Sequence, residues 1–227
     1  MSSVTTKLSL SEVQLELTGF MKQPEILGLM QRTRAQFKPT VTSSAVIHSL
    51  SSSPQRQWMW LKHLSNPDHE KQGLAYFNIL ERLPGVAKLA EFRHANDFTG
   101  TMCDDYIFRN EAWYREAMRS PERKQAMKTG LFRAGYHEFL TEKGYRLTDR
   151  PGPEDIVVYF TYVYALPGEP PQQRQAPRPA HYGKVERIDG DKIVVRSKFG
   201  HSYAYTHELE LIPYFFGSHY AIYTRTT

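Results

Sequence analysis

The sequence predicts an α+β fold, a helical N-terminal half packed against a small antiparallel sheet. Three observations carry that expectation. Apolar residues recur at helical spacing through much of the first half, from Trp58 to Trp113. A run of β-branched and aromatic residues, DIVVYFTYVY, opens at Asp155. A turn at Asp189-Gly190-Asp191 then separates two β-rich runs and marks a hairpin.

The elements follow in order. Val13, Leu15 and Leu17 alternate with Gln14 and Glu16, the pattern of a short strand. Pro24 opens a helix to about Phe37, and residues 40–53 are a Ser/Thr-rich loop in which Ala45-Val46-Ile47 is a brief ordered element. A serine before Pro54 starts a helix carrying Trp58, Leu61 and Leu64. A second helix runs from His69 to Leu83 and stops at Pro84-Gly85, and a third covers Val86 to His94. Thr101 with Asp104 forms a capping box for a helix through Met118. Pro121 begins a helical region toward Leu140, with Gly130 and Gly135 marking a kink and Gly144 a C-terminal cap.

After Gly144 the period changes. Asp155 to Tyr164 reads as a strand buried on both faces or strongly curved, because it does not alternate. Pro167 to Ala180 holds so much proline that an extended loop is expected. The hairpin from His181 to Gly200 follows, then short strands at Tyr203–Thr206 and Tyr220–Thr224. Residues 1–96 form a mainly helical region and residues 97–227 the core that carries the chemistry.

Composition narrows the classes. Hydrophobic residues make up 40% of 227, enough for a core of ordinary size. The net charge of +5 is mild and demands no anionic partner. No stretch approaches the roughly 18 apolar residues of a membrane helix, and the N-terminus lacks the charged and apolar regions of a signal peptide. A cytoplasmic location is expected, or export without a usual signal. A single cysteine, Cys103, excludes an internal disulfide and a cysteine-rich zinc site. His201 and His207 lack the spacing of a familiar metal site. No cofactor is expected.

Cys103 falls near the start of a predicted helix, where unpaired backbone N–H groups and the helix dipole favour a thiolate. A histidine within reach would complete a nucleophilic pair. His94, His181, His201, His207 and His219 all qualify by spacing. Asp104 and Asp105 oppose the thiolate through their negative charge.

The order of a cysteine at a helix start, then GYRLTDRPGPEDIVVYF, then HYGKVERIDGDKIVV resembles the NlpC/P60 and CHAP group of papain-like cysteine peptidases and amidases. The match covers about residues 97–200. The resemblance implies a papain-like fold whose cysteine helix packs on a small antiparallel barrel. It implies that Cys103 is the nucleophile, that His181, followed by Gly183, is the general base, and that Ser197 orients the imidazole. The implied reaction is hydrolysis or transfer at an amide or isopeptide bond, with cell-wall peptide as a substrate class. Lys198, Phe199, Tyr159 and Tyr205 are candidates to line the substrate groove, and packing is the ordinary role of each aromatic.

Two further classes stay open. One is a catalytically inactive papain-like interaction protein with a protein partner. The other is a nucleic-acid or peptide module, since GKVERIDGDKIVVRS also resembles an SH3-like or KOW-like barrel. There Arg187, Lys192, Arg196 and Lys198 would supply charge, and Tyr182 and Phe199 would stack on bases.

Overall fold

The computed structural model describes residues 7–22, 47–50, 53–56, 58–59, 80–89, 103–133, 135–163, 176–199, 204–212, 216–217 and 219–226. The expected helix from Pro24 and most of the two helices between residues 60 and 79 lie outside these residues, as does Pro167 to Gln175 of the proline-rich loop.

Five helices are described: α1 (Leu10–Met21), α2 (Cys103–Phe108), α3 (Ala112–Ala117), α4 (Pro121–Phe132) and α5 (Tyr136–Glu142). The strands are β1 (Ile47–Ser49), β2 (Ala87–Lys88), β3 (Tyr145–Leu147), β4 (Ile156–Val163), β5 (Ala176–Asp189), β6 (Lys192–Lys198), β7 (Ala204–Glu208) and β8 (His219–Arg225). They join one antiparallel sheet in the order β1-β8-β4-β5-β6-β7-β2, with β3 also paired to β8.

The α+β class holds, but the barrel expected from the papain-like resemblance does not form. The order ends in β1 on one side and β2 on the other, and these very short strands pair only with β8 and β7. Closure is not needed to bury the sheet, because both of its faces are covered.

On one face, here the bundle face, α2 to α5 pack Ile107, Phe108, Met127, Leu131 and Leu140 against Ile156, Val158, Phe160, Tyr182 and Tyr223. On the other, the N-terminal face, Val13, Leu17, Trp58, Met59, Leu80 and Leu83 pack against Val157, Tyr159, Val195, Phe199 and Tyr205. The run in β4 thus sends Val157 and Tyr159 one way and Val158 and Phe160 the other. This is why its sequence is apolar throughout.

Several local expectations change. Val13 to Leu17 lies in α1, not in a strand. Val13 and Leu17 are four apart and buried, while Leu15 points outward at 75% exposure. Ala87–Lys88 is a strand rather than part of a helix. The region after Cys103 breaks into α2 and α3, with Arg109 and Asn110 in the turn between them. Proline does not exclude Ala176–Ala180 from the sheet, since Pro177 pairs with Tyr162 and Pro179 with Phe160 of β4. On its other side, among the described residues, β5 meets β6 only from Gly183 onward, so there the prolines have no described partner on that edge.

Other expectations hold. Pro121 begins α4 as expected, and Ser120 before it, not singled out in the sequence, caps the helix, its hydroxyl accepting from the Arg123 N–H at 3.2 Å. Asp189 pairs with Lys192 across a two-residue turn whose Gly190 has φ 65°. Gly144 stops α5 with φ 83°, a value that favours glycine over any side chain with a Cβ.

Candidate functional site

β5 and the helices on the bundle face position the sequence candidates. Tyr182 fastens them together. Its ring packs edge-on against Phe108 of α2 and Phe132 of α4, and its hydroxyl donates to the Leu131 carbonyl. The Tyr182 side chain therefore points to the bundle face. Alternation sends its neighbour His181 to the N-terminal face. There the His181 imidazole stacks on Phe199 with centroids 4.9 Å apart and planes 3° from parallel, beside Phe216 at 4.5 Å and Tyr159 at 5.9 Å.

Cys103 opens α2, as expected, but its side chain packs on the bundle face among Tyr106, Phe108 and Tyr182. It is 5% exposed. Burial, then the neighbouring Asp104 carboxylate, push its thiol up to about 12, against the weaker pull of N–H groups from Tyr182 and Asp104 and of Lys128. Among the described residues neither ring nitrogen of His181 has a hydrogen-bond partner, the Cys103 sulfur included. The structure thus does not assemble the expected cysteine–histidine pair. The sheet holds the two side chains on opposite faces.

Ser197 does orient a histidine, but a different one. Its hydroxyl lies 2.8 Å from Nε2 of His207, and Nδ1 of His207 lies 2.8 Å from the Glu208 carbonyl. A carbonyl only accepts, so Nδ1 carries the proton, and Nε2 accepts from Ser197. Both residues are buried. Burial pushes His207 down to about 4, leaving a neutral imidazole at pH 7 that is too weak a base to activate a hydroxyl efficiently. The arrangement satisfies two polar side chains inside the sheet layer. Cross-strand pairing of β6 with β7 carries this contact, a long-range register that spacing alone does not reveal.

Lys198 points to the bundle face, opposite Ser197 and Phe199. It is buried beside Asp105 and Cys103, and burial lowers its pKa. With Lys128 it faces a pair of buried carboxylates. The Lys128 ammonium contacts Asp104 and lies 3.6 Å from Asp105. The Tyr114 hydroxyl reaches both acids, in contact with Asp105 and 3.1 Å from Asp104. Sequence reasoning noted Asp104 as half of a capping box and both acids as opponents of a thiolate, not as a buried pair. It missed Tyr114 and Lys128, which follow ten and 24 residues after Asp104 on α3 and α4.

The other candidates are core. Tyr159, Tyr205 and Phe199 are at most 1% exposed. Tyr159 donates to the Leu209 carbonyl at 3.1 Å and Tyr205 to Glu81 at 3.2 Å. Tyr182, expected to stack on bases in a nucleic-acid module, is fully buried. The charges of that module are paired: Arg187 with Asp189, Lys192 with Glu208, and Arg196 with Glu154 and Glu186.

Among the described residues no group of three or more His, Cys, Asp or Glu side chains converges to hold a metal ion. No helix among them is long and apolar enough to cross a membrane. Comparison with protein-family models, with curated proteins and with solved structures finds no match to this chain.

Proposed function

We propose that this protein works as an interaction protein, binding a protein or peptide partner without covalent catalysis. One observation carries the reading: Cys103 is packed inside the bundle face with a thiol that resists ionisation, and the candidate base His181 occupies the opposite face. The residues that would make a hydrolase instead serve packing on two separate layers. A shallow groove between α3, α4 and α5 offers a surface for such a partner. Trp113, Ala117, Ala126, Met127 and Phe139 give it an apolar floor, and Glu116, Arg123 and Lys143 charge its rim.

The test is native iodoacetamide labelling of Cys103 across pH 6 to 10, followed by mass spectrometry. A thiol at about 12 holds roughly 3,000-fold less thiolate at neutral pH than a free thiol near 8.5. Labelling should be slower than that of the urea-unfolded chain by a comparable factor, and unchanged in His181→Ala. Fast labelling below pH 7 that disappears in His181→Ala would refute the interaction reading.

A second reading has one observation in its favour. The Tyr182 N–H donates to the Cys103 sulfur, so the thiol contacts the backbone one residue from His181. A shift in the β5 backbone that turned His181 to the bundle face would assemble a cysteine hydrolase acting on an amide or isopeptide bond. The labelling experiment separates the two readings, because only the second makes thiol reactivity depend on His181.

A further inference from the structure

The N-terminal face of the sheet buries two histidines with no acidic partner. His181 is 0% exposed, and among the described residues neither of its nitrogens has a hydrogen bond. His207 is 1% exposed and uses both nitrogens in neutral form. One ring joins them: Phe199 stacks on His181 and lies 5.5 Å from His207. An imidazole with two unmade hydrogen bonds is costly to bury, and a charged one far more so. Such a residue is retained more readily where its titration does something.

The groups that face the pair do not offer a counter-charge. From β4 comes Tyr159, whose hydroxyl is committed to Leu209. From β6 comes Ser197, from the residue after that strand Phe199, and from β7 Tyr205, whose hydroxyl is committed to Glu81. Glu81 is itself held by Lys88 at 3.0 Å. From β8 comes Tyr220, which stacks on His48 of β1 at 5.0 Å and feels Glu210. From residues 216–217 comes Phe216. From the helical residues 54–56 comes Arg56, already a cation, whose guanidinium donates to the carbonyls of Ile212 and Gly217 at 2.9 Å each. Among the described residues a proton added to His181 thus meets aromatic rings and the neighbouring His207, and one added to His207 meets Phe199 and no carboxylate.

Among the described residues the layer over this face comprises α1, residues 54–56 and 58–59, and residues 80–86, which place Val13, Leu17, Trp58, Met59, Leu80, Leu83 and Val86 on the same cluster as Phe199 and Tyr205. Polar ties among its described residues include Trp58 Nε1 to Glu16 at 2.9 Å, Lys7 to the carbonyls of Leu83 and Val86 at 3.2 and 2.5 Å, the Leu8 N–H to the Arg82 carbonyl at 2.9 Å, and Arg82 to Glu16 at 3.9 Å.

We propose that His181 and His207 form an acid-sensitive latch, in which acidification charges the buried imidazoles and releases the N-terminal layer from the sheet while α2 to α5 stay docked on the other face. The sign follows from linkage. Burial lowers both histidines in the folded state, so the unfolded chain binds protons first as pH falls. Stability of this layer is full above the unfolded value near 6.5 and falls through the window down to about 4, where His207 titrates in place. The buried His219 belongs to the bundle face, stacked on Phe160, and is not part of the latch. The inference concerns a region separate from the α3–α5 groove and does not depend on the partner proposed there.

The experiment is hydrogen exchange by mass spectrometry on the full chain from pH 7 to pH 4, with rates corrected for intrinsic pH dependence. Wild type should lose protection in α1 and residues 80–89 within that window while α4 and α5 keep theirs. His181→Phe preserves the aromatic stack and cannot be charged, and His207→Gln can still bond Ser197 and Glu208. In each variant the loss should move to lower pH, by about one unit. If His207→Gln fails to fold, His181→Phe decides alone. Both faces opening together, or variants opening at the wild-type pH, would overturn the latch.

Discussion

Gly130 offers a direct test of how α4 and α5 meet. It sits inside α4, where alanine would ordinarily stabilise a helix by about 1 kcal/mol. A Cβ built there would lie 2.3 Å from Cδ2 of Phe139, 2.7 Å from Cε2 and 2.8 Å from Cγ. The ring would have to retreat by about an ångström to reach ordinary contact. Its neighbours limit that retreat. Phe139 packs edge-on against Trp113 at 5.7 Å, and the Lys143 ammonium lies 5.2 Å over its face. Overpacking of this kind costs about 1–3 kcal/mol. That exceeds the propensity gain over most of its range. The ring is half-buried and retains some outward freedom, so a net loss of about 1 kcal/mol is expected for Gly130→Ala.

The same substitution should change sign when the ring is removed. In a Phe139→Ala background the new methyl group meets no ring, and Gly130→Ala should stabilise by about 1 kcal/mol. The double-mutant cycle should therefore show a coupling of about 2 kcal/mol, read from urea denaturation followed by circular dichroism at 222 nm. If Gly130→Ala stabilised the native background as much as the Phe139→Ala one, the helices would not meet at this point and the packing of the bundle face would need redrawing.

Two more outcomes bear on the site. Tyr114→Phe removes the hydroxyl shared by Asp104 and Asp105, a hydrogen bond to a buried charge worth about 1.5–3 kcal/mol, and the same urea assay should show a loss in that range. A change below about 0.5 kcal/mol would mean the acids are held by the lysines alone. Single-stranded and duplex nucleic-acid probes should bind weakly even at low salt, because Arg187, Lys192 and Arg196 are ion-paired and Tyr182 and Phe199 are buried. Tight binding that weakens steeply with added salt would restore the nucleic-acid reading.

Much of the fold was legible where local physics decides it. The glycine at 190 and its flanking β-formers dictate a two-residue hairpin whatever surrounds them. The Pro121 start of α4 and the Gly144 stop of α5 are equally local. The misreadings occur where tertiary packing outweighs pattern. Leu15 completes an alternation that looks like a strand, yet α1 needs only Val13 and Leu17 for its contact and leaves Leu15 in water. Gly130 reads as a helix-weakening kink, while the structure uses its missing side chain to admit a neighbouring ring. Proline disfavours a sheet ladder only on the side where its missing N–H would be needed, and β5 presents Pro177 and Pro179 where one side has no described partner.

The site was harder to read because a strand encodes sidedness in single steps. His181 and Tyr182 are adjacent, yet one residue of offset decides whether an imidazole meets Cys103 or Phe199. The same step separates Ser197, on the histidine face, from Lys198, on the cysteine face. A linear motif cannot carry that parity where β5 and β6 bury side chains on both faces. Val194, Val195, Tyr182 and Val185 are all buried, so neither face announces itself as the outside. The bulges at Tyr159/Phe160 and Val185/Arg187 add further breaks in register. The candidates therefore divide by sheet face: His181, Ser197, Phe199, Tyr159 and Tyr205 with the N-terminal layer, Cys103 and Lys198 with α2 to α4. Chemistry that joined the two groups would require β5 to turn over by one residue, breaking both the His181–Phe199 stack and the Tyr182–Leu131 hydrogen bond. Those two contacts hold the halves of the candidate site apart.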